Sequence, residues 1–262
     1  MPKEFTIFAL LYGNHPELAA RCVSSIAPYV GDRAELRVGL NTVGGKTRKM
    51  VNSQAGPGGA ISKVYDYGEN ILKYPMMRRM FHDPDAPIKT PYIMWFDDDS
   101  FVKPDASQQR PWLDIVSEAI SQADMLGSVY SLNYRGDQHK WIAAQPWYAG
   151  KAARPKASFA TGGWWCIRTE VVQQYNWPPE ALQHRGGDVM LGELLRQQDR
   201  TLKQFRTGVA INANDAGQES KAARRGHDET PIGVAFVEPP AVKVVPPPPP
   251  PVPGNPFVQL DL

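Results

Sequence analysis

Tyr92-Ile93-Met94-Trp95-Phe96-Asp97-Asp98-Asp99-Ser100-Phe101-Val102 decides the reading of this 262-residue chain. Its first five residues are apolar or aromatic without a break, as in a strand buried on both faces. Three carboxylates then stand where that strand would reach the surface. They repel one another and resist loss of water. A bound divalent cation would relieve both costs, and carboxylate oxygens suit Mg²⁺ or Mn²⁺. If the chain stays extended, Asp97 and Asp99 face one side and Asp98 the other. A cation held by one or two carboxylates keeps positions for phosphate oxygens. The plainer alternative is an acidic turn capped by Asp97, against which Ser100-Phe101-Val102 continues as strand-like sequence.

Outward from this stretch, apolar runs alternate with helical periodicity. Phe5–Tyr12 is a second buried strand, closed by Gly13-Asn14. Pro16-Glu17-Leu18 opens a helix whose apolar positions Leu18, Cys22 and Ile26 recur every fourth residue. Ala34–Leu40 and Ile61–Tyr67 read as strands, and about Asn70 to Phe81 as a helix. Asp114–Ala123 follows as helix, Met125–Tyr134 as strand, Trp164–Ile167 as a short strand and Val189–Gln197 as helix. Strands separated by helices predict an α/β fold, a mainly parallel, Rossmann-like sheet sandwiched by helices. Ligands bind such sheets beyond the carboxyl ends of the strands, which is where Asp97–Asp99 fall.

Composition narrows the class. Apolar residues are 42% and charged residues 21%, ordinary for a globular chain. Lys+Arg 29 against Asp+Glu 27 leaves +2, so no global field marks a nucleic-acid binder. No run approaches the roughly 18 apolar residues of a membrane span, and the first residues lack a secretory pattern. Cys22 and Cys166 are too few for a disulfide framework. The expectation is a cytoplasmic protein, in the host cytoplasm if the chain is viral. Ten of the 25 prolines lie between Pro239 and Pro256. Residues 1–238 therefore form the domain and 239–262 a separate extended tail of polyproline II type. That tail is either a stiff linker or a docking segment for an aromatic groove, on this chain or another.

Three segments carry a resemblance to a known family. Trp95 to Val102 resembles the acidic motif of glycosyltransferases with the GT-A fold, in the Asp-Asp-Asp-x-aromatic-Val form of Fringe-type and related β-galactosyltransferases. Phe159-Ala160-Thr161-Gly162-Gly163-Trp164-Trp165 is similar to the Gly-Gly motif on the acceptor side. Gly187-Asp188-Val189-Met190-Leu191-Gly192 is similar to the Glu-Asp-Val-x-x-Gly motif that carries the catalytic base. The match departs from the pattern at Gly187, where an acid is common, and at Trp164-Trp165, where small residues are usual.

The resemblance implies transfer of a sugar from a nucleoside diphosphate, a UDP-sugar, with Mn²⁺ or Mg²⁺ neutralising the departing diphosphate. It implies Asp99 as the direct metal ligand, with Asp97 on the ribose or beside the metal. His227 would be a third ligand, unless it is an exposed loop histidine. Asp188 would be the base that takes the acceptor proton in an inverting transfer, unless it is a helix N-cap. At a helix N-terminus its charged form would be favoured, so a high pKa is not expected.

Position alone adds Tyr12, Asn14 and Asp66 to the nucleoside pocket, together with Asp98, and Arg78 or Arg79 from the preceding helix. Gly163 leaves a gap beside which Trp164 or Trp165 would offer a ring to sugar or base; the other belongs to the core. Two segments, 135–156 and 196–225, carry a local excess of basic residues. These fit either a phosphate-rich acceptor such as DNA with a hydroxylated base, or plain solvated surface. Two rival functions stand beside the transferase: a sugar nucleotidyltransferase, and a non-catalytic sugar- or partner-binding module. Tyr12-Gly13-Asn14-His15-Pro16 is not the glycine-rich basic loop the first needs, and the second leaves Asp97–Asp99 unexplained.

Overall fold

The computed structural model of the chain describes residues 2–105, 109–134, 137–152, 154–214 and 216–219. His227 and the proposed boundary between residues 238 and 239 lie outside the described residues.

The strands β1 (Phe5–Tyr12), β2 (Ala34–Asn41), β3 (Ile61–Asp66) and β4 (Tyr92–Asp97) run parallel to one another. A two-residue strand, β5 (Phe101–Val102), follows the acidic run. β6 (Met125–Asn133) and β7 (Lys156–Arg168) are antiparallel partners, and β7 is antiparallel to β4. β8 (Leu202–Gln204) lies parallel to β6, and β9 (Val209–Ala210) pairs with β5 in a small second sheet. The main sheet runs β3-β2-β1-β4-β7-β6-β8. The α/β expectation holds.

Helices cover both faces of this sheet. Phe5, Ile7, Ala9 and Leu11 of β1 pack toward α1 (Pro16–Ile26), α2 (Gly45–Gln54) and α4 (Trp112–Ser121). Phe8 and Leu10 face the opposite way, toward α3 (Lys73–Phe81), α5 (Gln138–Ala143), α6 (Thr169–Gln174) and α7 (Gly187–Gln197). Strand alternation thus feeds two cores, which is why β1 and β4 read as unbroken apolar runs. Cys22 and Cys166 are unpaired and buried in the first core. Among the described residues no helix is long and apolar enough to cross a membrane.

Two elements differ from expectation for identifiable reasons. α3 starts at Lys73 rather than near Asn70, because the Asn70 side chain accepts the Leu72 N–H at 2.9 Å and Leu72 has φ 70°. β7 extends back to Lys156, well before Trp164. Its early half pairs with the far half of β6 and so projects past the end of β4, above the acidic run.

Candidate active site

At the end of β4 the backbone turns instead of staying extended. The Ser100 N–H donates to the Asp97 carbonyl at 2.9 Å and closes that turn. The alternation expected for Asp97, Asp98 and Asp99 therefore does not hold. Asp97 Oδ1 accepts from the indole of Trp95 at 2.8 Å, and Oδ2 pairs with Lys73 Nζ at 2.6 Å. Asp98 accepts the backbone N–H of Tyr12 at 3.2 Å. Asp99 receives the Ser100 hydroxyl at 3.3 Å, a weak contact.

These partners divide the electrostatics unevenly. Lys73 supplies a relief of charge that the sequence did not reveal, and both Asp97 oxygens are engaged. Burial and the neighbouring Asp97 and Asp98 charges push Asp99 up to about 8, and Lys73 only partly opposes them. Burial alone would lower the Lys73 ammonium, but Asp97, Asp188 and Asp99 outweigh it and hold its pKa above the ordinary lysine value. Asp99 thus carries a charge that its surroundings compensate only in part. Among the described residues no three His, Cys, Asp or Glu side chains form a ready metal cage. A hard cation there would find one carboxylate, Asp99, and would draw its other oxygens from outside the chain.

Asp188 lies across β7 from this run. Its carboxylate accepts the Tyr74 hydroxyl at 2.9 Å and the Gly162 N–H. The N-cap of α7 is Gly186, at φ 78°, so Asp188 sits in the first helical turn and is not the cap. Burial, reinforced by Asp97, raises its pKa against the pull of Lys73 and Tyr74. This corrects the expectation of an unraised value: desolvation outweighs the helix terminus. Gly162 is the floor between the two centres. A Cβ there would lie 2.7 Å from Lys73 Nζ and 2.9 Å from Asp188 Oδ1. Lys73 Nζ also donates to the Gly162 carbonyl at 3.0 Å.

Other candidate residues fall elsewhere. Gly163 is not a gap for ligand, since a Cβ on it would meet Asn212, Ser100 and Ile211 within 2.8 Å. Trp164 is fully buried against Phe96, Trp112 and Phe205, and Trp165 is buried against Trp95. Both rings belong to the cores, one on each face of β7, and neither presents a face to ligand. Arg78 donates to Asn176 and Pro178 and pairs with Glu180, so it clamps the 176–180 loop and does not point to the acidic run. Arg79 lies over the Tyr67 ring at 4.2 Å. Tyr12 stands at the end of β1, beside Asp98. Asn14 is exposed and packs against Gly44, where a Cβ would come within 2.2 Å of its side-chain oxygen. Asp66 ends β3, where it pairs with Arg48 and accepts the Gly68 N–H at 3.0 Å.

Among the described residues, five basic side chains of the two segments are ion-paired within the chain. Lys140 meets Asp137, Lys151 meets Asp199, Arg196 meets Glu193, Arg200 meets Asp124 and Glu170, and Arg206 meets Glu219. Asp137, Asp199 and Glu219 belong to the same two segments, so among the described residues it is Arg196 and Arg200 that draw on acids from outside them. Lys73 and Tyr74 are the functional candidates that sequence reasoning missed. Helical phase puts Tyr74, Met77 and Phe81 on the buried stripe, and so turns Arg78 and Arg79 outward, but it does not show what Lys73 and Tyr74 meet.

Comparison with solved structures places the architecture. The chain superposes on S. aureus TarS with TM-score 0.50 and 14% identity, over 79% of this chain and 36% of that one. The 1–349 fragment of S. aureus TarS, solved in complex with UDP, gives TM-score 0.50 and 13% identity, over 79% and 59%. The fold is GT-A. A mannosyltransferase from Pyrobaculum calidifontis, PcManGT, in complex with GDP-Man and Mn²⁺, aligns at TM-score 0.48 and 12% identity, over 78% and 55%. This GT-A chain thus spans about a third of that TarS chain and three fifths of the 1–349 fragment. No family model matches it, and no curated protein does. In the GT-A sheet, the ends of β3, β2, β1 and β4 form one row, with Asp66 three strand spacings, about 14 Å, from the acidic run.

Proposed function

We propose that the protein is a metal-dependent, inverting glycosyltransferase that moves a sugar from a UDP-sugar to an acceptor hydroxyl. One observation carries the reading: the half-buried carboxylate Asp99, whose charge Lys73 only partly offsets, follows the central strand, and a second half-buried carboxylate, Asp188, meets Lys73, the partner of Asp97, at side-chain-free Gly162. The three motifs resembling Fringe-type enzymes, and the UDP held by the TarS fragment of like fold, support it. The row from Asp66 to Asp97 gives a nucleoside diphosphate a place to lie extended, its base toward β3 and its diphosphate toward β4.

A Mn²⁺ or Mg²⁺ ion at Asp99 would supply positive charge to the departing diphosphate. Asp97 keeps Lys73 in place, and that ammonium adds fixed positive charge beside the same oxygens. Asp188 takes the acceptor proton as the acceptor oxygen bonds to the anomeric carbon. The bond from that carbon to the diphosphate breaks, and its electron pair leaves on the diphosphate. A raised pKa makes Asp188 a stronger base than an exposed carboxylate.

The test is incubation with a panel of nucleotide sugars, Mn²⁺ and candidate alcohol acceptors, reading released nucleoside diphosphate and glycosylated product. Release with at least one donor, abolished by chelation, is the expected result. Absence of release and transfer across the panel contradicts the reading, and a product of retained configuration removes Asp188 from its role.

A further inference from the structure

We propose that Tyr74 is the positioning residue of the base, an inference that rests on Asp188 being that base. Tyr74 is almost fully buried in the first turn of α3 and ties that turn to the start of α7 at three points. Its N–H donates to the Gln183 carbonyl at 3.2 Å, in the loop before α7. Its ring fills the space beside Gly187, where a Cβ would lie 2.1 Å from Cζ and 2.5 Å from the hydroxyl oxygen. Its hydroxyl donates to Asp188 Oδ1 at 2.9 Å.

Gly187 is the position at which the sequence departs from an otherwise acidic motif. The Tyr74 ring explains the departure, because no side chain at residue 187 could coexist with it. The ring is itself held edge-on to Trp177, with centroids 6.0 Å apart and planes at 81°. The hydroxyl therefore has one place to point. Lys73, the preceding residue, reaches Asp97 and the Gly162 carbonyl. Two consecutive residues thus hold Asp97 and Asp188 from one helical turn.

The groups around the Asp188 carboxylate are Lys73 and Tyr74 from α3, the Gly162 N–H from β7 and Asp97 from β4. With Oδ1 held by Tyr74 and the Gly162 N–H also on the carboxylate, its rotation is restrained and its oxygens are fixed in place for the acceptor proton. Tyr74 keeps its own proton throughout: burial and Asp188 hold its pKa well above the ordinary tyrosine value. Its work is orientation.

Tyr74→Phe in the full chain removes the hydroxyl and keeps the ring. Transfer kcat should fall about 10–100-fold, the cost of a misplaced catalytic group. The donor KM and calorimetric UDP affinity with Mn²⁺ should stay within about twofold, since Tyr74 touches no group assigned to the donor. The acid limb of the kcat/KM profile should move to higher pH, because a hydrogen bond favouring ionised Asp188 is gone. Gly187→Ala, which displaces the ring, should reproduce the loss of transfer. Wild-type kcat and an unmoved acid limb in Tyr74→Phe would overturn the inference while leaving the transferase reading intact. So would a loss of transfer matched by an equal loss of UDP affinity. A wild-type chain that transfers from no donor overturns both.

Discussion

Ionising Asp99 places a third negative charge beside Asp97 and Asp98, with Lys73 as the nearest relief. The folded chain therefore holds that proton up to about pH 8, whereas the unfolded chain releases it near pH 4. Between those values the folded state binds more protons than the unfolded, so stability without metal falls as pH rises. Asp99→Asn has no charge to desolvate. At pH 8 in metal-free buffer it should be more stable than wild type by about 1–3 kcal/mol, at about 2–4 °C per kcal/mol. Calorimetric scans at pH 5 and pH 8 check this: the advantage should be present at pH 8 and shrink toward pH 5. Asp188→Asn probes the other carboxylate. Because Gly186 holds the cap, no capping role is at stake, and transfer should fall about 10²–10⁴-fold while UDP and Mn²⁺ binding persist. Product formation and UDP titration, measured side by side, separate those outcomes.

At the scale of elements, β7 joins the two centres and also holds the cores together. Trp164 and Trp165 sit on its opposite faces, and Gly162 lies where the strand passes the end of β4. Trp164→Ala should cost about 3–5 kcal/mol and lower the melting temperature by roughly 10 °C. UDP affinity measured well below that transition should be unchanged, and a specific loss of affinity would return the ring to the site. β1 and β4 were legible as continuous apolar runs because both of their faces are buried. α2 was not: only Thr47 and Val51 are buried on it, too few to show a period. The first half of β7 was hidden by Ser158, Thr161, Gly162 and Gly163, small polar residues that suit the cleft rather than a strand pattern. Asp99 and Asp188 were legible as candidates from their place after a strand and at a helix start. Lys73 and Tyr74 were not, since only packing of α3 against β4 and α7 brings them to Asp97 and Asp188. The sequence assigned ring faces to ligand at Trp164 for want of the same information.

For the whole molecule, the GT-A sheet sets four strand ends in a row. Residues 239–262 are compositionally separate from it. Removing them should leave transfer rate and melting temperature nearly unchanged if they are a linker. A fall of several degrees, or of rate, would show instead that Phe257–Leu260 docks on the domain. Among the described residues, ion pairs with acids outside the two basic segments offset their local excess at Arg196 and Arg200.

The most direct measurement is calorimetric titration of UDP into wild type and Asp99→Asn, each with Mn²⁺ and with chelator. Wild type should bind UDP in a Mn²⁺-dependent way, and Asp99→Asn, still folded, should lose that dependence and most of the affinity. Equal UDP affinity in the two proteins with Mn²⁺ present would contradict a metal held at Asp99, and with it the account of the site.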